Sequence, residues 1–129
     1  MDNELQHDFS EKTILVVEDE DSNYALLEAL LLPAGALLLH AKTAGAALEI
    51  IKNQHIIDLI LMDIKLPDMN GYELTRIIRR ENKDVPIIAQ TAFAMTDDKI
   101  RALESGCNAY LPKPIDLFEL MDIIAGFIH

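Results

Sequence analysis

Cysteine pairs, basic charge and long apolar runs are all scarce in this chain of 129 residues. There is one cysteine, Cys107, so no internal disulfide can form, and a lone thiol fits a reducing compartment. Its neighbours offer no Cys/His arrangement for nucleophilic catalysis, which favours a packed thiol over a reactive one. His7, His40, His55 and His129 are scattered and lack metal-ligand spacing. Lys and Arg number 11 against 22 Asp and Glu, a formal net charge of −11. That balance argues against nucleic acid as a partner, because phosphate-backbone binding needs basic patches that release counterions. The longest apolar stretch, 25–41, is broken by Glu28, Pro33 and Gly35 and falls short of the ~20 residues of a membrane span. The polar, acidic N-terminus has none of the basic and then apolar pattern of a signal peptide. The expectation is a cytoplasmic domain with no direct membrane insertion. Tryptophan is absent and aromatics make up 5% of the chain, so packing must come mainly from Leu, Ile, Val and Ala.

What is present is an alternation. Residues 1–11 read as a tail or linker and 12–129 as one domain. Thr13–Val17 is a β-branched run closed by acids, consistent with a strand buried on both faces. Ser22 or Asn23 can cap a helix that ends near Leu32, stopped by Pro33 and Gly35. Leu37–Ala41 reads as a second strand, and Thr43 caps a helix with Leu48 and Ile51 on one face. A third strand, 59–62, ends at Asp63, and the loop 65–71 is dense in turn residues. The next helix buries Leu74, Ile77 and Ile78. Residues 86–90 form a fourth strand. Thr96, with Asp97 and Asp98 in the first turn, opens a helix that Gly106 closes. Residues 109–111 form a fifth strand, and Asp116 opens a last helix with Leu117, Leu120, Met121 and Ile124 inward. Strands alternating with helices through short loops imply a doubly wound α/β fold, a five-stranded parallel sheet covered on both faces. In such sheets the functional crevice lies at the carboxyl ends of the strands.

The acids fall at those ends. The first strand runs into Glu18-Asp19-Glu20-Asp21 and the third into Asp63. If the two strands are neighbours, Glu18, Asp19 and Asp63 converge and repel unless a cation or proton intervenes. Mg²⁺ suits a site of few protein oxygens completed by water and phosphate. The fourth strand delivers the hydroxyl of Thr91 to the same edge and the fifth the ammonium of Lys113. A carboxylate nucleophile, a hard cation, a hydroxyl and a lysine form a site for phosphoryl transfer, which asks mainly for positioning and charge neutralisation. Singly, each residue has an ordinary explanation, as a helix-terminal acid, a turn cap, a loop hydroxyl or a solvated lysine. Their coincidence at successive strand ends is what favours chemistry.

The stretches Ile-Leu-Val-Val-Glu-Asp-Glu at 14–20, Leu-Ile-Leu-Met-Asp-Ile-Lys-Leu-Pro-Asp-Met-Asn-Gly at 59–71, Pro-Ile-Ile-Ala-Gln-Thr-Ala at 86–92 and Gly-Cys-Asn-Ala-Tyr-Leu-Pro-Lys-Pro at 106–114 carry a resemblance. In this order and spacing the chain resembles the receiver domains of bacterial-type response regulators, over nearly all of 12–128. The resemblance implies a flavodoxin-like sheet in the order 2-1-3-4-5. It implies Asp63 as phosphoacceptor and Mg²⁺ held by Asp19, Asp63, the Lys65 backbone carbonyl and, through water, Glu18. It further implies Thr91 and Lys113 on the phosphoryl oxygens, Tyr110 as the switch aromatic that swings inward as Thr91 moves, and a cis peptide before Pro114. A receiver of this kind promotes its own phosphorylation and dephosphorylation without being a turnover enzyme. The stretch 89–95 and the Lys-Pro-Ile ending look most like receivers of hybrid sensor histidine kinases. The implied partner is a sensor histidine kinase or histidine phosphotransfer domain, and the host could be a membrane-anchored hybrid kinase.

Residues 26–47 depart from that pattern. Between 29 and 41 no residue is formally charged, and Leu26, Leu27, Leu30, Leu31 and Leu32 exceed what one inward helix face can hold. Leu37-Leu38-Leu39 falls on an expected edge strand, where apolar residues invite pairing with another chain. A docking surface for phosphohistidine partners, a homo-oligomer through the first helix and second strand, and polar positions replaced by design all remain open. Rival functions fit less well. An aspartate-nucleophile hydrolase wants an acid two residues after the nucleophile, where Lys65 stands. A flavin- or nucleotide-binding domain wants a Gly-rich loop where this chain has acids. A non-phosphorylated interaction module using the apolar first-helix surface is the remaining alternative.

Overall fold

The computed structural model describes residues 7–53, 56–92 and 96–128. The elements alternate as β1 (Thr13–Val17), α1 (Asp21–Leu31), β2 (Leu37–Ala41), α2 (Ala44–Asn53), β3 (Leu59–Asp63), α3 (Gly71–Glu81), β4 (Ile87–Thr91), α4 (Thr96–Ser105), β5 (Ala109–Pro112) and α5 (Leu117–Phe127). All pairings are parallel, and the sheet order is β2-β1-β3-β4-β5. The expected flavodoxin-like α/β architecture is therefore the observed one.

Parallel strands buried on both faces are apolar along most of their length, and β1, β3 and β4 are buried throughout, with polar residues only at their ends. The period of two then splits their side chains between two cores. Leu15, Val17, Ile60, Met62, Ile87 and Ala89 face α2, α3 and α4, meeting Ala47, Leu74, Ile78 and Ala102. Ile14, Val16, Leu59, Leu61 and Ile88 face α1 and α5, meeting Leu27, Leu31, Leu120 and Ile124. Register brings the strand ends level: Val17 pairs with Met62, Asp63 with Gln90, and Thr91 with Pro112.

Several boundaries differ from the sequence reading. Helix α1 starts at Asp21 with Glu20 as its N-cap residue, ahead of Ser22 and Asn23; the Asn23 amide donates back to Glu20 instead of capping. Strand β4 runs one residue later than expected because Pro86 has no N–H to give, although its carbonyl accepts from Ile60. In α2 the fully buried residues are Ala44 and Ala47, small enough to bring the helix close to the sheet, while Leu48 and Ile51 are half-buried. Packing also begins before residue 12. Phe9 is buried in the α1/α5 core, and its N–H donates to the Ala34 carbonyl at 2.7 Å. Residues 1–6 of the expected tail and 93–95 of the stretch 89–95 lie outside the described residues, as do the side chains at 96 and 97.

The leucine excess resolves as geometry demands. Leu27 and Leu31 go inward, whereas Leu26 is 46% exposed and Leu37, on edge strand β2, is 57% exposed. Among the described residues no helix is long and apolar enough to cross a membrane.

Candidate functional site

Each chemistry-bearing side chain sits at the carboxyl edge because its strand stops there. Asp63 is the last residue of β3 and Glu18 follows β1, so the register that pairs Val17 with Met62 sets these two carboxylates side by side. Both are buried, at 5% and 1% exposure, while Asp19 next to them is exposed. Oxygens of Glu18, Asp19 and Asp63 lie within 4.8 Å of one another. Lys113, just past β5, bridges two of them, its Nζ 3.1 Å from Glu18 Oε1 and 3.3 Å from Asp63 Oδ2. Backbone donors fix the remaining oxygens: Glu20 N–H donates to Glu18 Oε2 at 3.2 Å, and Lys65 N–H to Asp63 Oδ1 at 3.1 Å.

The electrostatics follow from this crowding. Burial, reinforced by the charge of Asp63, pushes the Glu18 carboxyl up to about 7. Burial would lower the Lys113 ammonium, but Asp63 and Glu18 more than offset it and hold its pKa above the usual value. One ammonium cannot neutralise three carboxylates. The set is all hard oxygen, two members are held by backbone N–H groups, and one member opens to solvent. Such a donor set fits Mg²⁺.

Thr91 ends β4 and is buried, and its carbonyl accepts from Lys113 N–H at 2.7 Å, tying the hydroxyl-bearing residue to the lysine-bearing loop. The Lys113–Pro114 peptide is cis. Tyr110, in β5, is half-buried against the α2–α4 core, and burial followed by the charge of Asp98 raises its hydroxyl pKa. Lys65 is exposed on the loop after β3 and forms an isolated bridge with Asn70. The structure thus puts Lys113 in direct contact with Glu18 and Asp63, sets Asp19 within 4.8 Å of both acids, and ties Thr91 and Lys65 to them through backbone.

Three supporting features escaped the sequence reading. Gly71 opens α3 directly behind the acceptor strand: a Cβ there would lie 2.7 Å from the Asp63 carbonyl oxygen and 2.8 Å from Ile64 Cα. Its position after the N-cap Asn70 was the one available signal. His40 Nε2 donates to the Glu18 carbonyl at 2.8 Å and its ring stacks on Tyr24, with centroids 3.7 Å apart. A carbonyl only accepts, so this nitrogen carries a proton. Asp68 reaches from the loop after β3 to the start of α2, a contact between distant segments that left no trace in local pattern.

Comparison with known proteins agrees with this geometry. The sequence model described as "Response regulator receiver domain" matches residues 14–125. Polar-differentiation response regulator DivK of Brucella ovis is 35% identical over 119 residues, covering 91% of this chain and 96% of that protein. Among solved structures, a receiver domain of a sensor histidine kinase from Pseudomonas aeruginosa, with magnesium in its active-site cleft, is 39% identical with a TM-score of 0.81. That match covers 90% of this chain and 96% of the other. A CheY-like response regulator receiver domain protein from Methanospirillum hungatei is 32% identical with a TM-score of 0.84, covering 91% and 93%. The family pattern spans all five strands and the relatives align nearly end to end, so the chain belongs to the response regulator receiver domains of two-component signalling.

Proposed function

We propose that Asp63 accepts a phosphoryl group from a phosphohistidine and that the acquired charge resets the carboxyl edge of the sheet. A carboxylate oxygen of Asp63 attacks phosphorus in line, the P–N bond breaks, and the departing imidazole takes a proton. The observation that carries this reading is the buried Asp63 carboxylate held between the ammonium of Lys113 and the N–H of Lys65, beside two further acids. These contacts fix a nucleophile in place, which is most of what phosphoryl transfer asks of a protein.

Asp19, Asp63, the Lys65 carbonyl and, through water, Glu18 are the groups that would hold Mg²⁺, whose role is to neutralise charge on the acids and the incoming phosphoryl oxygens. Lys113 pairs with one phosphoryl oxygen and the Thr91 hydroxyl hydrogen-bonds another. Movement of Thr91 frees room for Tyr110 to turn inward, a population shift between two packings of the β4–α4 region. The domain promotes its own phosphorylation and dephosphorylation and is not a turnover enzyme. Its donor is a sensor histidine kinase or a phosphotransfer domain, and likeness to a sensor-kinase receiver supports a place in a hybrid-kinase relay.

Intact mass after treatment with acetyl phosphate and Mg²⁺ tests the reading. Wild type should gain a single phosphoryl increment that needs Mg²⁺ and is absent from Asp63→Asn. No increment, under conditions that label another receiver, would instead favour an interaction module built on the exposed leucines of α1 and β2.

A further inference from the structure

The loop joining β3 to α3 is anchored at both ends and at its tip. At its start Lys65 N–H holds Asp63 Oδ1, and at its end Gly71 N–H donates to the Ile64 carbonyl at 2.7 Å. At the tip, Asp68 lies across the start of α2. Its Oδ1 accepts from Ala44 N–H and its Oδ2 from Gly45 N–H, both at 2.9 Å. The first turn of a helix has N–H groups without intrahelical partners and a partial positive charge, so a carboxylate there is favoured twice. Thr43, just ahead of α2, supplies a third contact, its Oγ1 accepting from Ala46 N–H at 3.0 Å. Hydrogen bonds from Gly45 and Ala44 also lower the Asp68 pKa, so the group is a carboxylate at neutral pH.

We propose that Asp68 is a positioning residue for the acidic site: by clamping the loop tip to α2 it fixes the backbone at Lys65, whose carbonyl faces the cation under the reading above. The clamp is bidentate and joins two segments that no strand pairing connects. Loss of it frees the middle of the loop while leaving Asp63, Glu18 and Asp19 untouched. The expected result is weaker Mg²⁺ binding without loss of any ligand.

The clamp and the α2 cap can be separated experimentally. Asp68→Ala removes both loop contacts, whereas Thr43→Ala uncaps the same helix without touching the loop. Mg²⁺ affinity by direct calorimetric titration, and amide hydrogen exchange of residues 64–70 without metal, should be measured for both. Asp68→Ala is expected to weaken Mg²⁺ about three- to tenfold, below the ~10–100-fold typical of groups that touch a metal ligand directly. It should also speed exchange at 64–70, while Thr43→Ala does neither. Asp68→Asn, which keeps an acceptor, should recover part of the affinity, and it carries the comparison if the alanine variant does not fold. Wild-type affinity and exchange in Asp68→Ala, or equal weakening in Thr43→Ala, would overturn the proposal. Failure of wild type to bind Mg²⁺ would overturn the reading of the acidic site instead, and the exchange data would then decide the clamp alone.

Discussion

Glu18 shows how a single residue carries the conflict of the whole site. Its folded carboxyl keeps its proton to about pH 7, against an ordinary value of 4.5. Between those values this group binds more protons in the native state than in the unfolded chain, so its contribution to stability is full below about 4.5 and is lost as pH rises to about 7. Urea unfolding in the absence of divalent cations should show that decline, of about 1–3 kcal/mol. Glu18→Gln should flatten it. Gly71 gives a second prediction at this scale. A methyl group would meet backbone at 2.7 and 2.8 Å, which no side-chain adjustment relieves. Gly71→Ala should cost about 1–3 kcal/mol, by the same unfolding measurement, and slow labelling by acetyl phosphate because α3 is displaced from behind Asp63.

At the level of elements, much was legible because the strands announce themselves. From Ile14 and from Leu59 the first and third strands are apolar at every position until the acids, so strand and strand end are both written in composition. Parallel register then does the assembly, bringing Glu18 beside Asp63 and Lys113 beside Thr91 without further information. What escaped notice depends on pairs of distant segments. The contact of Asp68 with Ala44 is one case, that of His40 with Glu18 is a second, and Phe9, set among polar residues, is a third. Phe9 tests this directly. Phe9→Ala should destabilise by about 3–5 kcal/mol in thermal or urea unfolding, as expected for a buried aromatic. Phe118→Ala, at a position 87% exposed, should stay within about 0.5 kcal/mol of wild type.

For the molecule as a whole, charge and apolar surface point in different directions. The net charge of −11 favours solubility, yet Leu26, Leu32 and Leu37 break the surface along α1 and β2. If that surface receives the phosphohistidine donor, Leu26→Ser with Leu32→Ser should slow phosphotransfer from the partner about tenfold or more. The rate with acetyl phosphate, which needs no docking, should not change. Equal rates from the protein donor would leave self-association of this face to be read from oligomeric state by light scattering.

The alternation that sends Leu61 to one core and Met62 to the other has a wider consequence. The sheet is a wall one peptide thick, and next-door residues on it belong to different rooms. A cavity cut on the α1/α5 side should therefore leave packing around α3 and α4 nearly untouched, with energies that add. News of an event on one side reaches the other most directly around the rim, where the strands end. The acids, the lysine and the loop held by Asp68 all stand on that rim.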